Sequence, residues 1–213
     1  MEKLISQLEQ FRIVPVVAIE SCDDAEPLAT ALEAGGLPCA EITLRTDQAL
    51  ESIRQLARRD DFVVGAGTVH SVDQAKAVAD AGATFVVTPG FNPKTVAWCL
   101  ENALPVVPGI SSPTDLEMAL EFNLQVVKFF PAEAIGGVKM LKALSGPYGG
   151  IRFIPTGGIS PANLADYLSL PQVLACGGSW MVKSGLISNG RFDEIARLTA
   201  EAMSLAIDPS MTA

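Results

Sequence analysis

Apolar stretches of strand length recur about every 20 to 25 residues along the chain, and this spacing restricts its fold more than any other feature. Each stretch is long enough for one buried strand, and most intervals are long enough for one helix. The predicted strands are Val14–Ile19, Cys39–Leu44, Phe62–Gly67, Thr84–Thr88, Pro105–Pro108, Gln125–Phe130, Ile151–Thr156 and Val173–Cys176. This alternation predicts an α/β fold built on a parallel sheet.

Segments with helical periodicity occupy most of the intervals. The predicted helices are Asp23–Glu33, Asp47–Arg58, Val72–Ala81, Pro93–Glu101 and Pro113–Glu121, with an extra helix at Glu2–Gln10 before the first strand. Polar caps precede several helix starts, at Ser71, Asn92, Ser112 and Ser160. Eight strand–helix units predict a (β/α)8 TIM barrel with an extra N-terminal helix, in a single domain over residues 1–213.

Two further expectations concern the architecture. An open, doubly wound sheet is the competing fold, but no glycine-rich dinucleotide turn follows the first strand. The tail after Ile207, Asp208-Pro209-Ser210-Met211-Thr212-Ala213, is expected to fray.

The composition is that of a globular protein with a large core. Apolar residues make up 49% of the 213 residues, and charged residues make up 18%. The four cysteines form no CxxC pair, and three of them, Cys39, Cys99 and Cys176, lie in apolar stretches, which predicts buried, reduced thiols in a reducing compartment. Neither a signal peptide nor a membrane-spanning segment is visible, so we expect a cytoplasmic protein without a membrane partner.

The charge and the histidine content argue against several classes of function. The formal net charge is -9, which disfavours nucleic acid as a partner because a phosphate backbone needs a basic surface. A small anionic substrate is compatible with it, because a local site can be positive on an acidic protein. His70 is the only histidine, so a multi-histidine metal site is excluded.

The sixth predicted strand contains a lysine, Lys128, within Leu124-Gln125-Val126-Val127-Lys128-Phe129-Phe130-Pro131. Lysines are rarely buried, and burial disfavours the charged ammonium form of a lysine. A neutral amine is a nucleophile that condenses with ketones to form a Schiff base. The alternative is a lysine that extends its ammonium to solvent from a strand end. The valines before Lys128 and the phenylalanines after it argue against that alternative.

The second predicted strand carries polar residues on one face. Alternation places Glu41, Thr43 and Arg45 on the face opposite Ile42 and Leu44. In a barrel the apolar face packs on the helices, and the polar face points inward toward the mouth at the C-terminal ends of the strands. We therefore predict that Glu41 and Arg45 lie at an active site, with a structural Glu41–Arg45 ion pair as the alternative.

Small and polar residues follow the third, fourth and fifth strands. They form Gly65-Ala66-Gly67-Thr68-Val69, Thr88-Pro89-Gly90 and Pro108-Gly109-Ile110-Ser111. Glycines at a strand end allow a ligand or another backbone to approach closely. Each segment alone could be an ordinary turn between a strand and a helix, but together they place small residues at one end of most strands.

Glycine pairs end the last two strands. They occur in Thr156-Gly157-Gly158-Ile159-Ser160 and in Cys176-Gly177-Gly178-Ser179-Trp180. The loops after the last two strands of such barrels frequently bind phosphate, and glycines can present their backbone N–H groups to an anion. A helix that starts after Ser160 would add its N-terminus to the site. Tight strand–helix turns without a ligand are the alternative.

These motifs together resemble those of 2-keto-3-deoxy-6-phosphogluconate (KDPG) aldolases, class I aldolases of which some also use 4-hydroxy-2-oxoglutarate (KHG). The similarity covers about residues 12 to 182. It rests on Glu41-Ile42-Thr43-Leu44-Arg45-Thr46, Gly65-Ala66-Gly67-Thr68-Val69, Pro108-Gly109-Ile110-Ser111, Lys128-Phe129-Phe130-Pro131-Ala132-Glu133, Thr156-Gly157-Gly158-Ile159-Ser160 and Gly177-Gly178-Ser179-Trp180. Thr88 stands where many relatives have serine.

The resemblance implies roles for individual residues. Lys128 would form the Schiff base with the keto carbon, and Glu41 would be the general acid–base. Arg45 would hold the carboxylate of the pyruvyl portion. The other implied binding residues are Thr68, Pro89 and Phe130 for the pyruvyl portion, and Gly157, Gly158, Gly178 and Ser179 for the phosphate.

The resemblance also implies substrates and partners. KDPG would be cleaved to pyruvate and glyceraldehyde 3-phosphate without a metal or organic cofactor, since the imine is the electron sink. The implied assembly is a homotrimer. Three alternatives are an aldolase for the galactonate epimer, a sugar-phosphate isomerase or epimerase without a Schiff base, and a non-catalytic sensor that kept the pocket.

Overall fold

The computed structural model describes residues 1–207, and the tail predicted to fray, residues 208–213, lies outside the described residues. Its strands are β1 (Ile13–Val17), β2 (Cys39–Thr43), β3 (Val63–Gly67), β4 (Phe85–Val87), β5 (Val106–Val107), β6 (Gly109–Ile110), β7 (Val126–Phe129), β8 (Arg152–Pro155) and β9 (Cys176–Gly178). Its helices are α1 (Glu2–Phe11), α2 (Ala25–Ala34), α3 (Ala49–Leu56), α4 (Val72–Asp80), α5 (Pro93–Glu101), α6 (Pro113–Glu121), α7 (Gly137–Ser145), α8 (Leu164–Leu168), α9 (Ser184–Ser188) and α10 (Phe192–Ile207). Single 3-10 turns lie at Cys22–Asp24 and Glu133–Ile135.

The strands form a closed parallel barrel. Six strands pair in the order β5-β4-β3-β2-β1-β9, and the other three pair in the order β6-β7-β8. The isolated bridges Phe153–Val173 and Thr156–Gly177 join β8 and the residue after it to β9 and the segment before it. At the other seam, β5 pairs with β4 and β6 pairs with β7, so these consecutive short strands together act as one strand of the ring. The predicted (β/α)8 barrel with an extra N-terminal helix is confirmed.

Pro108 divides the fifth predicted strand into β5 and β6. A proline lacks the N–H that a strand ladder uses, so regular pairing is interrupted at that residue. Its carbonyl still accepts a hydrogen bond from the backbone N–H of Lys128 at 2.9 Å, which keeps the ring continuous.

The eighth strand differs from its predicted bounds of Val173–Cys176, because β9 runs from Cys176 to Gly178. Val14 and Pro15 of β1 pair with Gly177 and Gly178 of β9. Glycine has low intrinsic strand preference, so local sequence did not indicate these positions. A Cβ atom at Gly177 would lie 2.2 Å from Thr156 Oγ1, so the close approach of β8 and β9 requires a glycine there.

Several helix boundaries agree with the capping pattern, and one does not. The side chains of Ser71, Asn92 and Ser112 accept hydrogen bonds from the first turns of α4, α5 and α6. Each such cap contributes about 1 kcal/mol. The predicted helix start after Ser160 is wrong, because α8 begins at Leu164. There the Ser160 N–H donates to Asn163 Oδ1 at 2.8 Å, which forms a local turn instead.

The N-terminal helix packs against the barrel through its apolar face. Leu4, Ile5, Leu8 and Phe11 of α1 are buried, as the periodicity of that segment predicts.

Phe85 of β4 is buried against β3. A Cβ atom at Gly65 on β3 would lie only 2.2 Å from the Phe85 ring, so glycine makes room for that ring. Among residues 1–207, no helix combines the length and the apolarity needed to cross a bilayer.

Candidate active site

Lys128 and Glu41 meet in the barrel interior. Lys128 lies on β7 and Glu41 on β2, and Lys128 Nζ is 3.4 Å from Glu41 Oε1. Only 7% of the lysine side chain and 4% of the glutamate side chain are exposed. Two charged groups are expensive to bury together, and such pairs occur where they have a function or excellent geometry. The alternative of a lysine extending to solvent is wrong.

Gly67 on β3 makes room for the Glu41 carboxylate. A Cβ atom at Gly67 would lie 2.1 Å from Glu41 Oε1 and 2.7 Å from Glu41 Cγ. β2 and β3 pair in register there, with Glu41 opposite Gly65 and Thr43 opposite Gly67. The glycine at this strand end therefore accommodates a side chain of the protein.

Arg45 lies on the turn after β2, because β2 ends at Thr43. The Thr43 hydroxyl donates to the Val17 carbonyl at 2.7 Å, which ties this strand end to β1. Arg45 is exposed and lines the cavity at the barrel mouth. Glu41 has its ion-pair contact with Lys128, so the alternative of a structural Glu41–Arg45 pair has no support among the described residues.

A cavity of about 410 Å³ occupies the mouth at the C-terminal ends of β1, β8 and β9. Phe130, Gly157, Gly158, Gly178 and Ser179, all candidate binding residues, line it. The Phe130 ring centre is 5.1 Å from Lys128 Nζ, so this residue connects the cavity with the buried pair beneath it. Lys128 and Glu41 themselves do not form part of the cavity wall.

The first glycine pair adopts a backbone that favours glycine. Gly157 has φ 97 and Gly158 has φ 84, both in the left-handed region. The Gly158 carbonyl accepts a hydrogen bond from Asn163 Nδ2 at 3.0 Å. The N–H groups of Gly158 and Ile159 have no protein acceptor within residues 1–207, which leaves them available to an anion.

The second glycine pair, Gly177 and Gly178, lies within β9 and lines the mouth cavity as part of a strand, whereas the first pair forms a turn. A Cβ atom at Gly178 would lie 1.9 Å from Trp180 Cζ3, so glycine allows the indole to fold back over the strand end. Ser179 follows directly and is exposed to the cavity.

Thr68 and Pro89 do not reach this cavity. Thr68 follows β3 with φ 60, and Pro89 lines a recess of about 280 Å³ together with His70. The Pro89 carbonyl lies 2.2 Å from the position of a Cβ atom at Gly109, so the turn after β4 approaches β6 closely at that point. A pyruvyl pocket formed by Thr68 and Pro89 stays a prediction.

Sequence reasoning missed Lys183, which follows β9 and lines the same cavity as Arg45. Arg45 and Lys183 are the cationic residues of the wall, and no carboxylate belongs to it. The site is therefore locally positive on a protein of net charge -9, which suits an anionic ligand. A basic residue four positions after Ser179, in the loop that follows the second glycine pair, was the available signal.

The buried thiols do not compete with Lys128 as nucleophiles. Burial, together with the charge of Glu41, raises the pKa of Cys39 far above its usual range. Burial likewise raises the pKa of Cys176, and that of Cys99 to about 11. A protonated thiol is a poor nucleophile, so these cysteines are inert near neutral pH. Cys39, Cys99 and Cys176 are free and buried, as predicted.

A metal site needs several side chains of suitable type close together. Nowhere in residues 1–207 do three or more His, Cys, Asp or Glu side chains come close enough together to hold a metal ion.

Comparison with known proteins identifies the family. A family model for KDPG and KHG aldolase matches residues 4–198. The chain is 49% identical over 206 residues to 2-dehydro-3-deoxy-phosphogluconate aldolase of Treponema pallidum, covering 96% of this chain and 98% of the relative. It is 48% identical over 205 residues to the enzyme of the same name from Haemophilus influenzae, covering 96% and 97%.

A solved structure agrees with these relatives. KDPG aldolase from Legionella pneumophila, with pyruvate captured as a covalent carbinolamine, matches with a TM-score of 0.90 at 38% identity. The match covers 92% of this chain and 96% of that chain. Since the family model spans most of the chain and the relatives align over nearly their whole length, the chain belongs to the KDPG and KHG aldolase family.

Proposed function

We propose that the protein is a class I aldolase that cleaves KDPG to pyruvate and glyceraldehyde 3-phosphate, and KHG to pyruvate and glyoxylate. The observation that carries the proposal is the buried pair beneath the mouth cavity, in which Lys128 Nζ lies 3.4 Å from Glu41 Oε1. An amine and a carboxylate at this distance are the two groups that Schiff-base chemistry needs. The Legionella relative holds pyruvate as a carbinolamine, the intermediate that the proposal assigns to Lys128.

Imine formation begins when the Lys128 ammonium gives a proton to Glu41 and the resulting neutral amine attacks the keto carbon C2. The C2 oxygen takes the proton from Glu41, and the product is a carbinolamine. Glu41 is close enough to Nζ to take the proton that the nitrogen loses and to return a proton to the departing hydroxyl, which leaves as water. The resulting iminium withdraws electrons from C3 and replaces a metal as electron sink.

Carbon–carbon cleavage follows at the bond between C3 and C4. Glu41, through a water molecule, removes the proton of the C4 hydroxyl. The C3–C4 bond breaks, its electron pair enters the iminium as an enamine, and glyceraldehyde 3-phosphate leaves. Protonation of the enamine at C3 and hydrolysis of the imine then release pyruvate and free Lys128.

The charges of the cavity wall support an assignment of the two ends of the substrate. The planar guanidinium of Arg45 suits the pyruvyl carboxylate. Lys183, Ser179 and the free N–H group of Gly158 would take the distal phosphate. Phe130, 5.1 Å from Nζ, would pack against the substrate methylene between them.

Reductive trapping tests the proposal directly. Protein incubated with pyruvate and cyanoborohydride should acquire one carboxyethyl group, and peptide mapping should place it on Lys128. Lys128→Met should acquire none, whereas Lys183→Met, which removes a cavity-lining amine, should still be labelled on Lys128. An unlabelled wild-type protein, or a label on another lysine, would contradict the Schiff base and favour an isomerase without one.

Substrate preference, assembly and location belong to the same proposal. Steady-state kinetics with KDPG, its galactonate epimer and KHG would rank the three substrates, and pyruvate release from none of them would favour a sensor. A homotrimer in the cytoplasm is supported by the resemblance to the family, and sedimentation velocity measures the assembly. A monomer in solution would contradict the trimer.

A further inference from the structure

Glu133 and Tyr167 form a hydrogen-bonded pair beside the glycine turn after β8. The Tyr167 side chain is buried, and its hydroxyl donates to Glu133 Oε1. Burial, together with this hydrogen bond and the charge of Glu133, raises the pKa of Tyr167, so the hydroxyl remains a donor at neutral pH. Tyr167 belongs to α8 and Glu133 to the turn after β7, so the bond joins two separate segments.

Glu133 also holds the glycine turn directly. A Cβ atom at Gly158 would lie 2.5 Å from Glu133 Cγ and 2.7 Å from Glu133 Cβ, so the stem of this side chain lies against the turn. The Glu133 N–H donates to the Gly157 carbonyl at 3.1 Å. The backbone and the side chain of one residue therefore contact two consecutive glycines.

Gly137 lies close to the same hydrogen-bonded pair. A Cβ atom at Gly137 would lie 2.9 Å from Glu133 Oε1 and 3.1 Å from the Tyr167 hydroxyl oxygen. The absence of a side chain at Gly137 therefore leaves room for the hydrogen-bonded pair.

Support for the turn matters because a glycine backbone has few steric restrictions of its own. Glycine enters the left-handed region easily and also leaves it easily. An anion gains most from N–H donors that are oriented before it arrives, because ordering them on binding consumes affinity. The Gly158 and Ile159 N–H groups, free of protein acceptors within residues 1–207, are donors of this kind.

We infer that Glu133 and Tyr167 are positioning residues for the phosphate, whose hydrogen bond holds the Gly157–Gly158 turn with its N–H donors at the mouth cavity. The inference rests on the proposed function and concerns only the distal end of the substrate. It predicts an effect on phosphorylated substrate that is absent for KHG, which is shorter and carries no phosphate.

Tyr167→Phe tests the pair, because it removes one hydroxyl and keeps the ring in the core. Tyr148→Phe is the matched control, since the Tyr148 hydroxyl also donates to a glutamate, Glu117, at 2.8 Å, on the exposed surface. Tyr167→Phe should raise KM for KDPG about fivefold. It should leave kcat and the KM for KHG unchanged, and Tyr148→Phe should alter neither substrate.

Glu133→Gln provides a second variant at an exposed position, in case Tyr167→Phe does not fold. The amide oxygen can still accept from Tyr167, so KM for KDPG should rise less than in Tyr167→Phe. Equal effects on both substrates, or no effect on either, would overturn the inference, because a purely structural role does not discriminate between substrates.

Calorimetric titration with inorganic phosphate separates this inference from the proposed function. Phosphate should bind Tyr167→Phe about fivefold more weakly than wild type, whatever the turnover. Equal binding, or no binding to wild type, would overturn the inference. Wild-type protein that binds phosphate but releases no pyruvate from KDPG would instead overturn the proposed function.

Discussion

Replacing Gly67 by alanine should disable the site while leaving the barrel folded. The added methyl group would lie 2.1 Å from Glu41 Oε1, 2.7 Å from its Cγ and 2.8 Å from its Cδ. An ordinary carbon–oxygen contact is about 3.3 Å, so the carboxylate must move by about 1 Å. Because Glu41 is only 3.4 Å from Lys128 Nζ, such a movement breaks the contact between the two groups or distorts it.

The expected loss follows from that displacement. A misplacement of about 1 Å in a catalytic group typically lowers the rate about 100-fold, which corresponds to about 2.7 kcal/mol in activation free energy. Overpacking in a tight interior costs about 1–3 kcal/mol of the free energy of unfolding, which is less than the roughly 5–15 kcal/mol typical of native proteins. We therefore expect a folded protein with about one hundredth of the wild-type kcat on KDPG.

A coupled assay for pyruvate release measures kcat, and urea unfolding followed by circular dichroism measures stability. Gly149→Ala is the control, because a Cβ atom there has no heavy atom within 4 Å. It should match wild type in both measurements. A Gly67→Ala variant that kept near-normal kcat would refute the reasoning, since the position of the Glu41 carboxylate would then not limit the reaction.

Two further predictions concern protonation. Glu41→Gln should lower kcat on KDPG by about 10²- to 10⁴-fold in the same coupled assay, with the circular dichroism spectrum unchanged, and wild-type turnover would contradict the acid–base role. Burial raises the pKa of Cys99 from 9.0 to about 11, so the folded protein retains a proton that the unfolded chain loses. The contribution of the Cys99 thiol to the free energy of unfolding is therefore present below pH 9.0 and is lost as the pH rises to about 11. Urea titrations across this range should show a shallower decline for Cys99→Ala than for wild type, and parallel declines would show that Cys99 does not titrate in this way.

The local sequence determined the architecture and the identity of the central amine. The periodic strands and capped helices predict a (β/α)8 barrel, because each strand–helix unit has its own hydrophobic pattern and its own end signals. Ser112 illustrates this, since its cap and the helix Pro113–Glu121 are both encoded within a few residues. Lys128 was recognisable for a similar reason, as a charge within an apolar strand.

Contacts between distant segments could be predicted from the sequence only in part. Glycine pairs suggested an anion site, but Gly177 and Gly178 proved to be strand residues, because pairing with β1 overrides their low strand preference. The helix start expected after Ser160 moved to Leu164, because the Asn163 side chain forms a turn with the Ser160 backbone. Lys183 lines the cavity because the loop after β9 lies beside the loop after β8, a tertiary contact that local sequence does not reveal.

The partner of Lys128 was decided by tertiary structure alone. Alternation offered Arg45 as a partner of Glu41, because the two residues share one face of the predicted strand. Closure of the ring instead brings Glu41 within 3.4 Å of a lysine 87 positions away, while β2 ends at Thr43 and leaves Arg45 on the turn. Local patterns specify which face of a strand a residue occupies, but only the closed barrel specifies which residues face one another across its interior.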